Sequence, residues 1–270
     1  MISSDLHIHT KYCDGKDFPE EVVKKAIEKG ITTIGFSSHS YTEFDKSYAM
    51  SMEDTPKYIE EITSLKEKYK DSLEILVGIE KDYYSELDTK EFDYVIGSVH
   101  YVLKNGVYLT VDHSKELFLK QIEEYYNGDV YEFISDYYKN VADLNNKINP
   151  DIIGHIDLVA KFNEGNLLFD ENDERYLTYA YNSITTLCKK RTFFEVNTGA
   201  ISRGYKAEPY PNIKLLSKIK ECGGIPILSS DSHSKENVGY GFDIALNAVK
   251  NAGFEYVAMM KNKKFEIVSI

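Results

Sequence analysis

Residues 2–9 of the chain, ISSDLHIH, read as a short strand, Ile2 to His7, that runs into two histidines one residue apart. Alternate side chains of an extended strand share a face, so His7 and His9 point the same way. The same arrangement recurs along the chain. Residues 31–36 run into Ser37-Ser38-His39, 73–79 into Glu80, 94–99 into His100, 152–154 into His155, and 226–230 into Asp231-Ser232-His233. Between these runs lie helical patterns. EEVVKKAIEKG, residues 20–30, follows a capping-box-like start at Asp17-Phe18-Pro19-Glu20 and stops at Gly30, and residues 54–69 carry Ile59, Ile62, Leu65 and Tyr69 at helical spacing. Strands alternating with helices argue for a mostly parallel sheet. A polar residue at the C-terminal end of strand after strand is where an α/β barrel carries its chemistry.

The length of 270 residues, 42% of them hydrophobic, suits one barrel of this kind. The longest departure from alternation follows His100. Asn105-Gly106 marks a tight hairpin turn, and two helical segments, about 115–126 and 131–147, come after it. Helices are read at 174–189, 213–221 and 242–251, a strand at 193–197, and a closing hairpin at 256–260 and 265–270. No run of about 18 apolar residues is present, and the first ten residues lack the basic and apolar regions of a secretory signal. The expectation is a cytoplasmic chain with no membrane partner. Three widely spaced cysteines, Cys13, Cys188 and Cys222, make no disulfide framework. The net charge of −12 repels polyanions, so nucleic acid is not expected as a partner, and a small or cationic substrate fits better. The oligomeric state is left open.

Six of the seven histidines fall in the strand-end pattern; only His113 stands outside it. A lone histidine in such a place is usually structural or solvated, but six together are not a coincidence of that kind. His7-Ile8-His9 and Asp231-Ser232-His233 are both x-spaced pairs, read as extended, and each pair can bite one metal or bridge two. Imidazole with carboxylate suits zinc, manganese or iron. The candidate ligands are His7, His9, Asp14, His39, Glu80, His100, His155, Asp231 and His233. They are too many for one tetrahedral zinc, which takes about four, and imply two to three divalent ions. Clustered ions serve phosphoryl chemistry, one lowering the pKa of water to give hydroxide and the others taking up charge on the phosphate oxygens. No cysteine, serine or aspartate stands in a known phosphatase nucleophile motif.

At these residues the sequence resembles the polymerase-and-histidinol-phosphatase (PHP) superfamily. The matching motifs are DLHIHT at 5–10, SSHS at 37–40, GSVH at 97–100, GHID at 154–157 and SDSH at 230–233. The resemblance implies a distorted seven-stranded (β/α) TIM-like barrel, here one PHP-type domain over 1–270 with a helical insertion at about 101–148, and a trinuclear metal site. The stretch EVNTGAISRGYKAEPYPN, residues 195–212, is similar to the stand-alone histidinol-phosphatase branch. That branch implies hydrolysis of L-histidinol phosphate through metal-activated hydroxide; the alternative is a PHP phosphoesterase acting on another small phosphomonoester or a nucleotide. A metal-binding domain without turnover is disfavoured by the complete ligand set. Carried over by position, His7, His9, Glu80 and Asp231 hold one metal, Glu80 bridges to a second on His100 and His155, and Asp14, His39 and His233 take a third. Asp14 stands where some members have histidine. Glu80, Asp231 and His233 are the candidates for a direct catalytic part.

Only three arginines occur, Arg175, Arg191 and Arg203. Arg203 follows the strand at 193–197 on the ligand-bearing side, so it is the candidate to bind the substrate phosphate in a bidentate grip, with Gly199 and Gly204 letting its loop fold tightly. Glu43, Asp45 and Asp157, just past motif ends, are candidates for the cationic part of the substrate.

Overall fold

Every residue of Ser4–Ile8 (β1), Thr33–Phe36 (β2), Tyr94–Ser98 (β4) and Ile225–Ser229 (β9) is buried. Strands covered on both faces, with no polar side to show to water, are the mark of a parallel sheet wrapped by helices. The computed structural model describes residues 2–190 and 192–270, so Arg191 lies outside the described residues. The other strands of the wall are Glu74–Asp82 (β3), Ile152–Ile153 (β7) and Phe193–Asn197 (β8). The hairpin Tyr101–Lys104 (β5) and Val107–Thr110 (β6) stands apart, and Tyr256–Lys261 (β10) and Lys264–Ser269 (β11) end the chain. The sheet order is β1-β2-β3-β4-β7-β8-β9-β10-β11, parallel through β10, with β11 antiparallel to it.

The seven strands from β1 to β9 form a distorted barrel. At the mouth β1 meets the chain beyond β9 through the parallel bridge Ile8–Ser232, with His9 N–H to Ser232 O at 2.8 Å and Ser232 N–H to His7 O at 3.0 Å. At the far end the two strands part, and β10 enters, pairing with β9 through Ala258–Ile227 and donating from Met260 N–H to Ser4 Oγ at 3.3 Å. The sheet therefore has nine strands where seven were expected. The extra two are the terminal hairpin, which occupies the splayed seam.

Tyr94 fills the lumen. Its hydroxyl donates to Leu6 O at 2.5 Å, and its ring occupies the space that a side chain at position 35 or 78 would need. A Cβ at Gly35 or at Gly78 would lie 2.2 Å from atoms of that tyrosine. With Leu6, Leu76, Ile96, Ile152 and Ile227 it makes an apolar plug below the polar mouth.

Outside lie Pro19–Glu28 (α1), Asp54–Tyr69 (α2), Lys115–Tyr126 (α3), Val130–Lys147 (α4), Glu174–Leu187 (α5), Gly199–Ser202 (α6), Ile213–Glu221 (α7) and Phe242–Asn251 (α8). Ser114 and Asp129 cap α3 and α4 with their side-chain oxygens. The β5–β6 turn falls at Asn105 and Gly106, both at positive φ. Two local expectations need correction. Helix α1 begins after Phe18, whose N–H donates to Glu21, while Asp17 accepts from Lys235 across the molecule. The segment after β8, read as a tightly folded loop, is a helical turn, α6. Among the described residues no helix is long and apolar enough to cross a membrane.

Candidate metal centre

β1, β2, β3, β4, β7 and β9 end at the same rim, and every candidate ligand but Asp14 comes from the last three residues of one of them or the four that follow. The structure brings all nine candidate ligands into one cluster. Glu80 lies at its centre. Its Oε2 is 3.2 Å from His7 Nε2, 3.6 Å from His9 Nε2 and 2.8 Å from His39 Nδ1, and its Oε1 is 3.0 Å from His155 Nε2 and 3.5 Å from His100 Nε2. Asp231 Oδ1 stands 3.3 Å from His9 Nε2 and 3.4 Å from His233 Nδ1. Asp14 faces His39 at 3.6 Å and His233 at 3.3 Å. The D-x-H pair is not extended, because β9 ends at Ser229 and Asp231 has φ 47°. Aspartate tolerates that left-handed conformation better than most residues. The turn still brings both Asp231 and His233 over the rim.

The donor set fits divalent cations. His7 Nε2, His9 Nε2 and Glu80 Oε2 are buried and have no hydrogen-bond partner, yet all three face one another. Unpaired buried lone pairs are costly, and a cation among them would satisfy all three. Four overlapping groups of potential ligand atoms lie within 4.8 Å of one another: His9, Asp14, His39 and His233; His7, Glu80 and His155; His7, His9 and Asp231; His39, Glu80 and His100. In the metal-free protein, burial works against the charge of His7, but Glu195, Glu80 and Asp231 together hold its pKa well above the usual value. Burial and the neighbouring His233 and His39 push His9 the other way. Against burial, His7, His39 and His100 hold the Glu80 carboxyl well below the usual range, and Arg203 and His7 do so for Asp231. Glu80 and Asp231, anionic among imidazoles, are thus a ready cation receptor.

The sequence reading missed the residues that orient these ligands. Glu195, in the middle of β8, accepts from His7 Nδ1 at 2.5 Å, from the His155 N–H at 2.7 Å and from Ser229 Oγ at 2.5 Å. Asp82 accepts from the His100 N–H at 3.0 Å and lies 3.2 Å from His100 Nδ1. Such carboxylate–imidazole pairs fix the ring and turn the other nitrogen's lone pair to the metal.

Above the cluster opens a polar cavity of about 250 Å³. Arg203 and Asp45 line it, with Tyr48, Tyr101, Asp112, His113 and Lys161. Arg203 is the C-cap of α6, and its terminal nitrogens already have partners. One reaches Asp231 Oδ2 at 2.9 Å; the other reaches Asp231 O at 3.1 Å and lies 3.0 Å from His233 Nδ1. Gly199 is required by contact rather than for mobility, since a Cβ there would lie 2.5 Å from Asp231 Oδ2 and 2.7 Å from the guanidinium. His113 is exposed on the cavity rim. Glu43 lines a separate groove beside Phe44 and Tyr108, and Asp157 is buried, accepting from the Asn212 N–H. Cys13 Sγ lies 3.5 Å from His9 Nδ1, and burial pushes its thiol up to about 11, which leaves it protonated and a poor ligand.

Residues 5–199 match the PHP domain family. A probable histidinol-phosphatase of Schizosaccharomyces pombe is 29% identical over 268 residues, covering 90% of this chain and 83% of that protein. A probable histidinol-phosphatase of Deinococcus radiodurans is 28% identical over 270 residues, covering 96% and 97%. Among solved structures, histidinol phosphate phosphatase from Lactococcus lactis, crystallised with zinc, L-histidinol and phosphate, superposes with a TM-score of 0.73 at 23% identity, covering 98% of each chain. At that identity the likeness is one of fold.

Proposed function

Because this chain belongs to the PHP domain family, we propose that it is a histidinol-phosphate phosphatase, hydrolysing L-histidinol phosphate to L-histidinol and phosphate in histidine biosynthesis. The observation that carries the reading is the cluster of unpaired, buried imidazole and carboxylate donors at the base of a small polar cavity. A cavity of about 250 Å³ in a chain of net charge −12 suits a compact ester and not a polymer phosphate. A cytoplasmic location goes with this reading and with three unpaired cysteines.

The reading includes two to three divalent ions, of zinc, manganese or iron. His7, His9, Glu80 and Asp231 would hold one, Glu80 would reach a second on His100 and His155, and Asp14, His39 and His233 would take a third. When bound, such ions acidify water and offset the charge that builds on phosphoryl oxygens. The remaining work falls to the chain. Glu195 and Asp82 keep the His7 and His100 rings aimed inward. Arg203 fixes Asp231 and lines the cavity, where its positive charge can meet a phosphate. Glu80 and Asp231 form the anionic base of the site, and Asp14 and His233, with side chains 35% and 21% exposed, are the ligands most open to an entering substrate. The Tyr94 plug and its apolar neighbours close the barrel below, so water and ester enter from the mouth alone.

The test is hydrolysis by the manganese- or zinc-loaded protein of L-histidinol phosphate beside sugar phosphates, nucleotides and an aryl phosphate. The expected result is the highest kcat/KM on L-histidinol phosphate. A higher value on another phosphomonoester would replace the substrate, and inactivity on all of them at full metal content would remove the phosphatase reading.

A further inference from the structure

The cavity has two unlike sides. Lys161 and Arg203 come from the segments after β7 and β8, while Asp45 and Tyr48 come from the segment after β2, and Tyr101 from β5. In a ring ordered β1-β2-β3-β4-β7-β8-β9, the arc of β7 and β8 lies across the mouth from β2. The cations therefore face the β2 segment over the ligand cluster.

Two carboxylates outside that cluster line the cavity, and their states differ. Asp112 is paired with Lys161, Nζ to Oδ2 at 2.9 Å, so its charge is offset inside the wall. Asp45 has only neutral donors. Its Oδ1 accepts from the Ser47 N–H at 2.9 Å and the Ser47 hydroxyl at 2.6 Å, and its Oδ2 accepts from the Tyr101 hydroxyl at 2.7 Å. Among the described residues no Lys, Arg or His forms an ion pair with it, although His113 lines the same cavity. Such bonds fix a carboxylate in place without cancelling its charge, and they leave it capacity to accept more. Burial opposes its ionisation, yet the bonds from Ser47 and Tyr101 hold its pKa below the usual range. Tyr48 lines the same cavity, its ring edge-on to His39 at 4.8 Å and 6.1 Å from the Tyr101 ring. An anionic group beside aromatic faces suits an ammonium or an imidazole.

We propose that Asp45, braced by Ser47 and Tyr101 and flanked by Tyr48, is the specificity-determining residue of the cavity, receiving the cationic end of a phosphomonoester whose phosphate lies toward Arg203. The proposal rests on the reading of the site as one for an amino-bearing ester, and names which carboxylate reads the amine. The other two candidates, Glu43 and Asp157, do not line the cavity.

The experiment compares metal-loaded wild type, Asp45→Asn and Asp45→Glu on two matched pairs. One is L-histidinol phosphate and its analogue with hydrogen in place of the amino group; the other is 2-aminoethyl phosphate and ethyl phosphate. Metal content is measured in each variant. One charge-assisted bond predicts that the wild type favours the amino member of each pair by roughly 10- to 100-fold in kcat/KM. In Asp45→Asn the preference falls toward unity, mainly through KM, and Asp45→Glu keeps part of it. A preference retained in Asp45→Asn, an equal loss on both members of a pair, or no preference in the wild type would each overturn the proposal. If the wild type ignores L-histidinol phosphate yet discriminates within the aminoethyl pair through Asp45, the substrate reading falls and the role of Asp45 stands.

Discussion

Glu80 has five imidazoles around one carboxylate, from His7, His9, His39, His100 and His155. Such a group is worth more as a charge than as a shape. Glu80→Gln keeps the shape, removes the charge and puts N–H donors where only acceptors fit. The expected outcome is loss of at least one ion per chain by metal analysis and a fall in kcat of roughly 10²-fold or more; near-normal turnover with full metal would refute a shared role. Arg203 acts by direction. Lysine has no planar fork with which to hold Asp231 and still offer donors to a phosphate. Arg203→Ala should cost about 2–4 kcal/mol in kcat/KM, with Arg203→Lys recovering part of it and metal content unchanged, since the guanidinium donates no lone pair. A loss accounted for wholly by missing metal would reduce Arg203 to a brace for Asp231. At this scale the ligands were legible because histidine is rare and its positions repeat. Glu195 and Asp82 were not, because a carboxylate that serves a histidine from another strand leaves no mark in its own neighbourhood of sequence.

The elements with a clear period came through with their ends intact: α2 at 54–69, α3 at 115–126, α7 at 213–221 and α8 at 242–251 match their sequence readings. Each is amphipathic and longer than two turns, so the pattern has room to declare itself. Helix α6 did not come through, since its four residues hold little more than one turn. Nor did the left-handed turn at Asp231, which an x-spaced pair reads as strand. The glycines of β2 and β3 were also unread; their meaning depends on Tyr94, a residue of a third strand. Gly35→Ala should therefore destabilise the metal-loaded protein by about 1–3 kcal/mol in urea unfolding, and Tyr94→Leu should relieve part of that cost when combined with it. Strictly additive effects would mean that the two do not compete for the lumen.

The whole molecule is a ring whose first and last strands meet at the metal ligands. His7 and His9 flank Ile8, which bridges to Ser232 between Asp231 and His233. Ions held by both pairs would tie the seam across the barrel, so chelation should lower Tm as well as abolish activity. Each ion at a hundred times its Kd contributes about 3 kcal/mol, and added zinc or manganese should restore Tm and activity together. An unchanged Tm in protein carrying fewer than one ion per chain would deny the ions any part in the fold. The seam also sets a timetable for synthesis. The ribosome releases Ser232 more than two hundred residues after Ile8, a delay of roughly 10–45 s at ~5–20 residues per second. Throughout that interval the nascent first strand has no partner on one edge, and Asp231 and His233 are missing from the ligand set of its two histidines. Completion of the ligand set is thus a late event, after translation has passed residue 233, and a ribosome stalled earlier holds a chain with both an open edge and an unfinished receptor.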